Sequence, residues 1–214
     1  MNHITAENNK LYTLALLLAV FTIFYNLAEG LLATWFGYED ETLTLFGFGV
    51  DSFIEMISGI GILHMVLRIR SSPAIHPDNF ERTALRITGT AFYLLVAGLV
   101  AGAILVIVTN QKPESTFWGV IISLLSIVVM LALIRAKRKV GVKLNSEAIL
   151  ADANCTKVCV YMSVVLLAAS GLYELTRLPY LDAAGSLGLA WFSFKEGKEC
   201  FEKAASARYC ACEH

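Results

Sequence analysis

Residues 146–171 read SEAILADANCTKVCVYMSVVLLAASG. This run is apolar and long enough to cross a bilayer, which requires about 20 residues rising 1.5 Å each. Yet it carries two cysteines four residues apart, Cys155 and Cys159. A second apolar run, LTLFGFGVDSFIEMISGIGILHMVLR at 43–68, carries Asp51 and Glu55 at the same spacing. Four residues make about one helical turn, so each pair stacks on one helix face, roughly 6 Å apart along the axis. A carboxylate at membrane depth costs on the order of 2.5–3.5 kcal/mol on insertion scales, and such groups therefore face a polar interior and act there. Two thiols and two carboxylates converging between helices would make a site for a moderately soft metal ion. The prediction is a shared metal site of Asp51, Glu55, Cys155 and Cys159.

The rest of the chain agrees with a membrane setting. Of 214 residues, 57% are hydrophobic and 16% charged, with mean hydropathy +0.63; soluble domains carry about 25% charged residues. Six stretches have spanning length, near 11–36, 43–67, 84–109, 116–135, 147–173 and 180–201. The expected fold is an all-α bundle of six transmembrane helices over 11–201, with a short N-terminus at 1–10 and a tail at 202–214. Basic residues fall at Lys10, within 68–86, within 135–143 and from Lys195 onward, all on one side, while Lys112 and Arg177 fall on the other. Excess Lys and Arg marks the cytoplasmic side, which places both termini there. In a prokaryote the membrane would be the inner one. The first stretch is too long for a signal-peptide core and contains Asn26 and Glu29. The basic loops serve as orientation signals and not as a nucleic-acid surface. Five cysteines in a reducing compartment favour metal ligation or packing over disulfides.

Other polar residues extend the pattern. Counted from Arg68, Asp51 and Glu55 lie about 25 and 20 Å along their helix, while Cys155 and Cys159 lie about 12 and 18 Å from Glu147. Glu55 and Cys159 thus reach similar depths. Asp152 shares the cysteine face and could be a fifth ligand, an entry-side relay or a helix-end cap. Glu29 could line an exit path, accept a proton or simply sit among headgroups. Lys157 is rotated away from the cysteines and could pair with Glu29 or Glu55, or snorkel towards an interface. The GLVAG run with Gly98 and Gly102 fits a close helix-packing or homodimer face. At the end of the chain, Cys210, Cys212 and His214 are compatible with soft-metal capture by a tail.

Three runs carry a family resemblance: GFGVDSFIEMIS at 47–58, LADANCTKVCVYMS at 150–163 and LDAAGSLGLAWFSFKEGKECFEKA at 181–204. They resemble the second, fifth and sixth transmembrane helices of the cation diffusion facilitator, or cation efflux, family. The resemblance implies that Asp51 and Glu55 bind metal together with the two positions of the fifth helix. There the family pattern is Ala-Asp-Ala-x-His-x-x-x-Asp, and Cys155 and Cys159 stand at the His and Asp positions. The sixth-helix match includes Asp182 and the Glu196-Gly197 pair. The family's usual cytoplasmic domain after the sixth helix is not expected, since the sequence ends at His214.

The functional expectation is a transporter and not an enzyme. Thiolates shift selectivity towards Zn, Cd, Cu or Hg, and two thiolates with two carboxylates suit a tetrahedral Zn or Cd ion. Metal binding requires deprotonated ligands and so releases protons. The expected activity is proton-coupled efflux, with metal ions and protons as partners, the bilayer as surroundings and no resident cofactor. The alternative is a metal-binding or regulatory membrane protein that uses the same site without transport.

Overall fold

In the computed structural model, residues 2–40, 42–71, 79–109, 112–178 and 180–206 are described. They form six helices and, among the described residues, no strands. These are α1 (Asn2–Glu39), α2 (Leu43–Ser71), α3 (Asn79–Thr109), α4 (Phe117–Lys143), α5 (Glu147–Thr176) and α6 (Tyr180–Ala205). Five are apolar enough to cross a membrane. The sixth, α6, is long enough at roughly 39 Å, but its second half carries Lys195, Glu196, Lys198, Glu199 and Glu202, of which Lys195, Lys198 and Glu202 are exposed. Its Asp182, Ser186, Ser193 and Lys203 are buried inside the bundle. Lipid-facing positions elsewhere are large and apolar, among them Phe24 and Trp35 on α1, Leu94 and Val108 on α3 and Val128 on α4.

The helices overrun the expected spans mainly at the basic end. The run RAKRKVGVK at 135–143, expected as a connection, continues α4 to Lys143. Arg and Lys are good helix formers and nothing in the run breaks the backbone ladder. The stop comes at Asn145, which adopts a left-handed φ of 48°. Ser146 then takes an extended conformation and its hydroxyl accepts from the Ile149 N–H, opening α5 as an N-cap.

Helices α1 and α2 pack side by side, as do α4 and α5, each pair joined by a tight turn. Helix α3 pairs instead with α6, far away in the chain. Helix α2 is the hub, touching α1, α3, α5 and α6. Close approach of α1 to α2 requires Gly49, where an added Cβ would lie 2.5 Å from the Thr34 backbone nitrogen. The expected small-residue face on α3 divides: Gly102 rests on the Leu43 side chain of α2, whereas Gly98 faces open space.

At the acidic end of the bundle, carboxylates clasp helix starts. Asp182 of α6 accepts hydrogen bonds from the Leu43 and Thr44 backbone N–H groups at 2.9 and 3.0 Å. The Thr44 hydroxyl returns a bond to the Asp182 carbonyl. Glu174 of α5 accepts from the Thr116 N–H at 2.7 Å, and the Tyr173 hydroxyl donates to the Pro113 carbonyl. Both carboxylates satisfy N–H groups that have no partner within their own helix, and both face the positive end of a helix dipole. These ties put the start of α2 beside the start of α6, and the start of α4 beside the end of α5.

Candidate metal centre

The faces carrying the two spaced pairs do meet. Cys159 of α5 donates from Sγ to Glu55 Oε1 of α2 at 2.6 Å. Glu55 also accepts from Asn26 Nδ2 of α1 at 3.3 Å, so three helices converge on one carboxylate. Cys159 Sγ additionally lies 3.6 Å from the Cys155 carbonyl oxygen. Both cysteines are free thiols.

The other half of each pair lies elsewhere. Because α2 and α5 run in opposite directions, one turn back from the touching pair leads towards opposite ends of the bundle. Asp51 lies on the acidic side of the contact and Cys155 on the basic side, roughly 12 Å apart along the axis. Asp51 is 2% exposed, and its Oδ1 has no hydrogen-bond partner among the described residues. Such an orphaned buried oxygen is unusual, because buried polar atoms are nearly always paired. Cys155 Sγ lies 3.6 Å from Lys203 Nζ of α6. Among the described residues, no three His, Cys, Asp or Glu side chains form a group ready to hold a metal ion.

A cavity of about 110 Å³ joins Glu55 and Cys159 to the basic end of the bundle. Its walls carry Cys155, Asp152 and Lys137 along α4 and α5, Glu196, Cys200 and Lys203 along α6, and Gly61 and Met65 along α2. The polar groups lie along one route from the basic end to the sulfur–oxygen contact.

The family model for the cation efflux transmembrane domain matches residues 16–207. The chain belongs to the cation efflux family. No curated protein sequence gives a match. Membership, together with the five spanning helices, makes this a multi-pass integral membrane protein. Members of the cation efflux family are cation transporters and not enzymes.

Within this cation efflux protein, the remaining candidates have definite surroundings. Asp152 forms an ion pair with Lys137 Nζ of α4 at 2.9 Å, and the same ammonium donates to the Thr156 hydroxyl. Glu29 is buried inside the bundle; it accepts from the Tyr25 hydroxyl at 2.9 Å and from the Ser52 hydroxyl of α2 at 3.1 Å. Lys157 is partly buried, and the ion pairs among the described residues do not include it. Its suggested partners, Glu29 and Glu55, are bonded to the groups just named. The tail residues Cys210, Cys212 and His214 lie outside the described residues.

Asn26, Lys137, Glu196, Cys200 and Lys203 also line the cavity, although none carries a site role in the sequence expectation. A signal for three of them was present. Glu196, Cys200 and Lys203 recur at the four- and three-residue spacings of one helix face, just as Asp152, Cys155 and Cys159 do on α5. Lys137 and Lys203 are basic residues near helix ends, and they read as orientation signals although both ammonium groups turn inward.

Proposed function

We propose that this protein exports a thiophilic divalent cation, Zn or Cd above others, in exchange for protons. The observation that carries the reading is the 2.6 Å contact between Cys159 Sγ and Glu55 Oε1, at the inner end of a cavity reaching the basic end. In the empty state a proton sits between sulfur and oxygen. A divalent ion taking both atoms as ligands must expel that proton, since thiolate and carboxylate are the binding forms. A thiolate beside a carboxylate selects borderline-soft ions over Mg, which prefers oxygen ligands and retained waters.

Asp51 and Cys155 complete the ligand set as the ion moves. On the basic side the ion meets Cys155 first and then the Cys159–Glu55 pair. Asp51, whose Oδ1 is buried without a partner, waits on the acidic side. Relative sliding of α2 and α5 would pass the ion from one diagonal of the site to the other. The carboxylate clasps of Asp182 and Glu174 hold the acidic end closed and would open for release.

The test is flux in proteoliposomes loaded with a metal-sensitive dye, comparing Zn, Cd, Cu and Hg with and without an imposed pH gradient. Zn or Cd uptake should rise when the gradient drives protons outward and should vanish in Cys159→Ser. Stoichiometric binding without net flux under any gradient would replace this reading with that of a non-transporting metal-binding membrane protein.

A further inference from the structure

We infer that Lys203 is a tethered competitor for the cation: its ammonium occupies the position beside Cys155 that an incoming ion must take. This inference rests on the metal-transport reading above and names the residue that sets which ions can enter.

Lys203 stands on α6 close to the basic end and is buried, with 11% of its side chain exposed. Its Nζ has two partners of different character. One is Cys155 Sγ at 3.6 Å, on the cavity wall one turn from the Cys159–Glu55 contact. The other is Glu199 Oε2 at 3.2 Å, one turn back on the same helix, with 40% of the Glu199 side chain exposed. The four-carbon stem of lysine allows the ammonium to travel several ångströms without backbone motion. The ammonium therefore has a position on the ion's route and a resting position beside that route. An ion bound at Cys155 would push it wholly onto Glu199.

The consequence for selectivity is chemical. To take Cys155, an ion must bind sulfur well enough to offset the loss of the ammonium–sulfur contact and the repulsion of a nearby positive charge. Thiophilic ions gain a strong metal–sulfur bond there; hard ions such as Ca or Mg gain little. A fixed positive charge would exclude every cation, whereas a movable one exacts a threshold. Lys137 differs in this respect, because its side chain is 2% exposed and its ammonium is held by Asp152 and Thr156. It braces α4 against α5.

The test is cadmium binding to the full chain in detergent micelles, followed by the near-ultraviolet absorbance of cadmium–thiolate bonds, with Cys155→Ser and Lys203→Met alone and combined. Lys203→Met keeps the stem and removes the charge but adds a thioether donor, so Lys203→Gln, which adds no sulfur, must show the same gain. Lys203→Met should tighten cadmium binding about fivefold, the size of a partly exposed ion pair that need no longer be broken. The gain should disappear in the Cys155→Ser background, and Lys203→Arg, which retains the charge, should bind no more tightly than the parent. In proteoliposomes Lys203→Met should lower the KM for cadmium and raise Mn and Ca uptake relative to the parent. Unchanged affinity in Lys203→Met, or an equal gain with and without Cys155, would overturn the inference while leaving metal transport intact. Absence of any cadmium signal in the parent would instead remove the transport reading on which it rests. Should Lys203→Met fail to fold, Lys203→Gln subjected to the same cycle decides the matter.

Discussion

Removing the charge of Lys137 separates a bracing role for Asp152 from a ligand role. The Lys137 side chain is 2% exposed, and its ammonium lies 2.9 Å from Asp152 and 3.0 Å from the Thr156 hydroxyl. Breaking a fully buried ion pair by deleting one partner costs about 3–5 kcal/mol. Asp152 is 15% exposed and keeps some hydration, so the expected loss in Lys137→Met is about 2–3 kcal/mol. Asp152→Asn leaves the ammonium with an amide oxygen and a hydroxyl, a loss of about 2 kcal/mol. The double variant removes both charges, and its loss should be about 2 kcal/mol instead of the sum of the single losses. The coupling is then about 2–3 kcal/mol, well above the few tenths seen for independent sites. Thermal unfolding in micelles reads this directly, at about 2–4 °C per kcal/mol for a chain of this size. Additive effects in the double variant would refute a coupled brace. Cadmium affinity measured on the same proteins carries the second half of the test. Asp152→Asn should bind cadmium close to the parent value, and a loss as deep as that of Cys159→Ser would make Asp152 a ligand.

Three further outcomes follow from the same geometry. Cys155→Ser and Cys159→Ser should each weaken cadmium and zinc binding by more than the roughly 10–100-fold typical of outer-shell changes, as measured by competition with a chelating dye. Asp182→Asn retains one acceptor for the Leu43 and Thr44 N–H groups but loses the charge; it should lower stability by about 1–3 kcal/mol and leave metal affinity alone, as seen by paired unfolding and binding curves. Gly185→Ala would place a Cβ 2.5 Å from the Ala169 Cβ and 2.7 Å from the Thr44 hydroxyl; it should destabilise the junction of α2, α5 and α6 by about 1–3 kcal/mol, and an unchanged melting temperature would contradict this packing.

Much of the architecture was legible because it rests on local properties. Long apolar runs name spanning helices whatever their neighbours, and α1 to α5 are where those runs lie. Ser146 caps α5 with its own side chain, a local feature that needs no partner helix. The continuation of α4 through 135–143 was hidden because a basic cluster signals a membrane edge without signalling a helix end. The marginal hydropathy of α6 has two causes: Asp182, Ser186, Ser193 and Lys203 are buried among the other helices, and Lys195, Lys198 and Glu202 form an exposed charged face towards the basic end.

From residue order alone came the helical character of the chain, the stacking of Asp51 on Glu55 and of Cys155 on Cys159, and the similar depth of Glu55 and Cys159. Spacing within a helix is set by backbone geometry, so no partner is needed to read it. Tertiary structure decided which faces meet and at what level. Antiparallel packing of α2 against α5 joins Glu55 to Cys159 and sends Asp51 and Cys155 towards opposite ends. It also turned Lys137 and Lys203 inward, because rotation about a helix axis is set by side chains on other helices, which lie far away in the sequence.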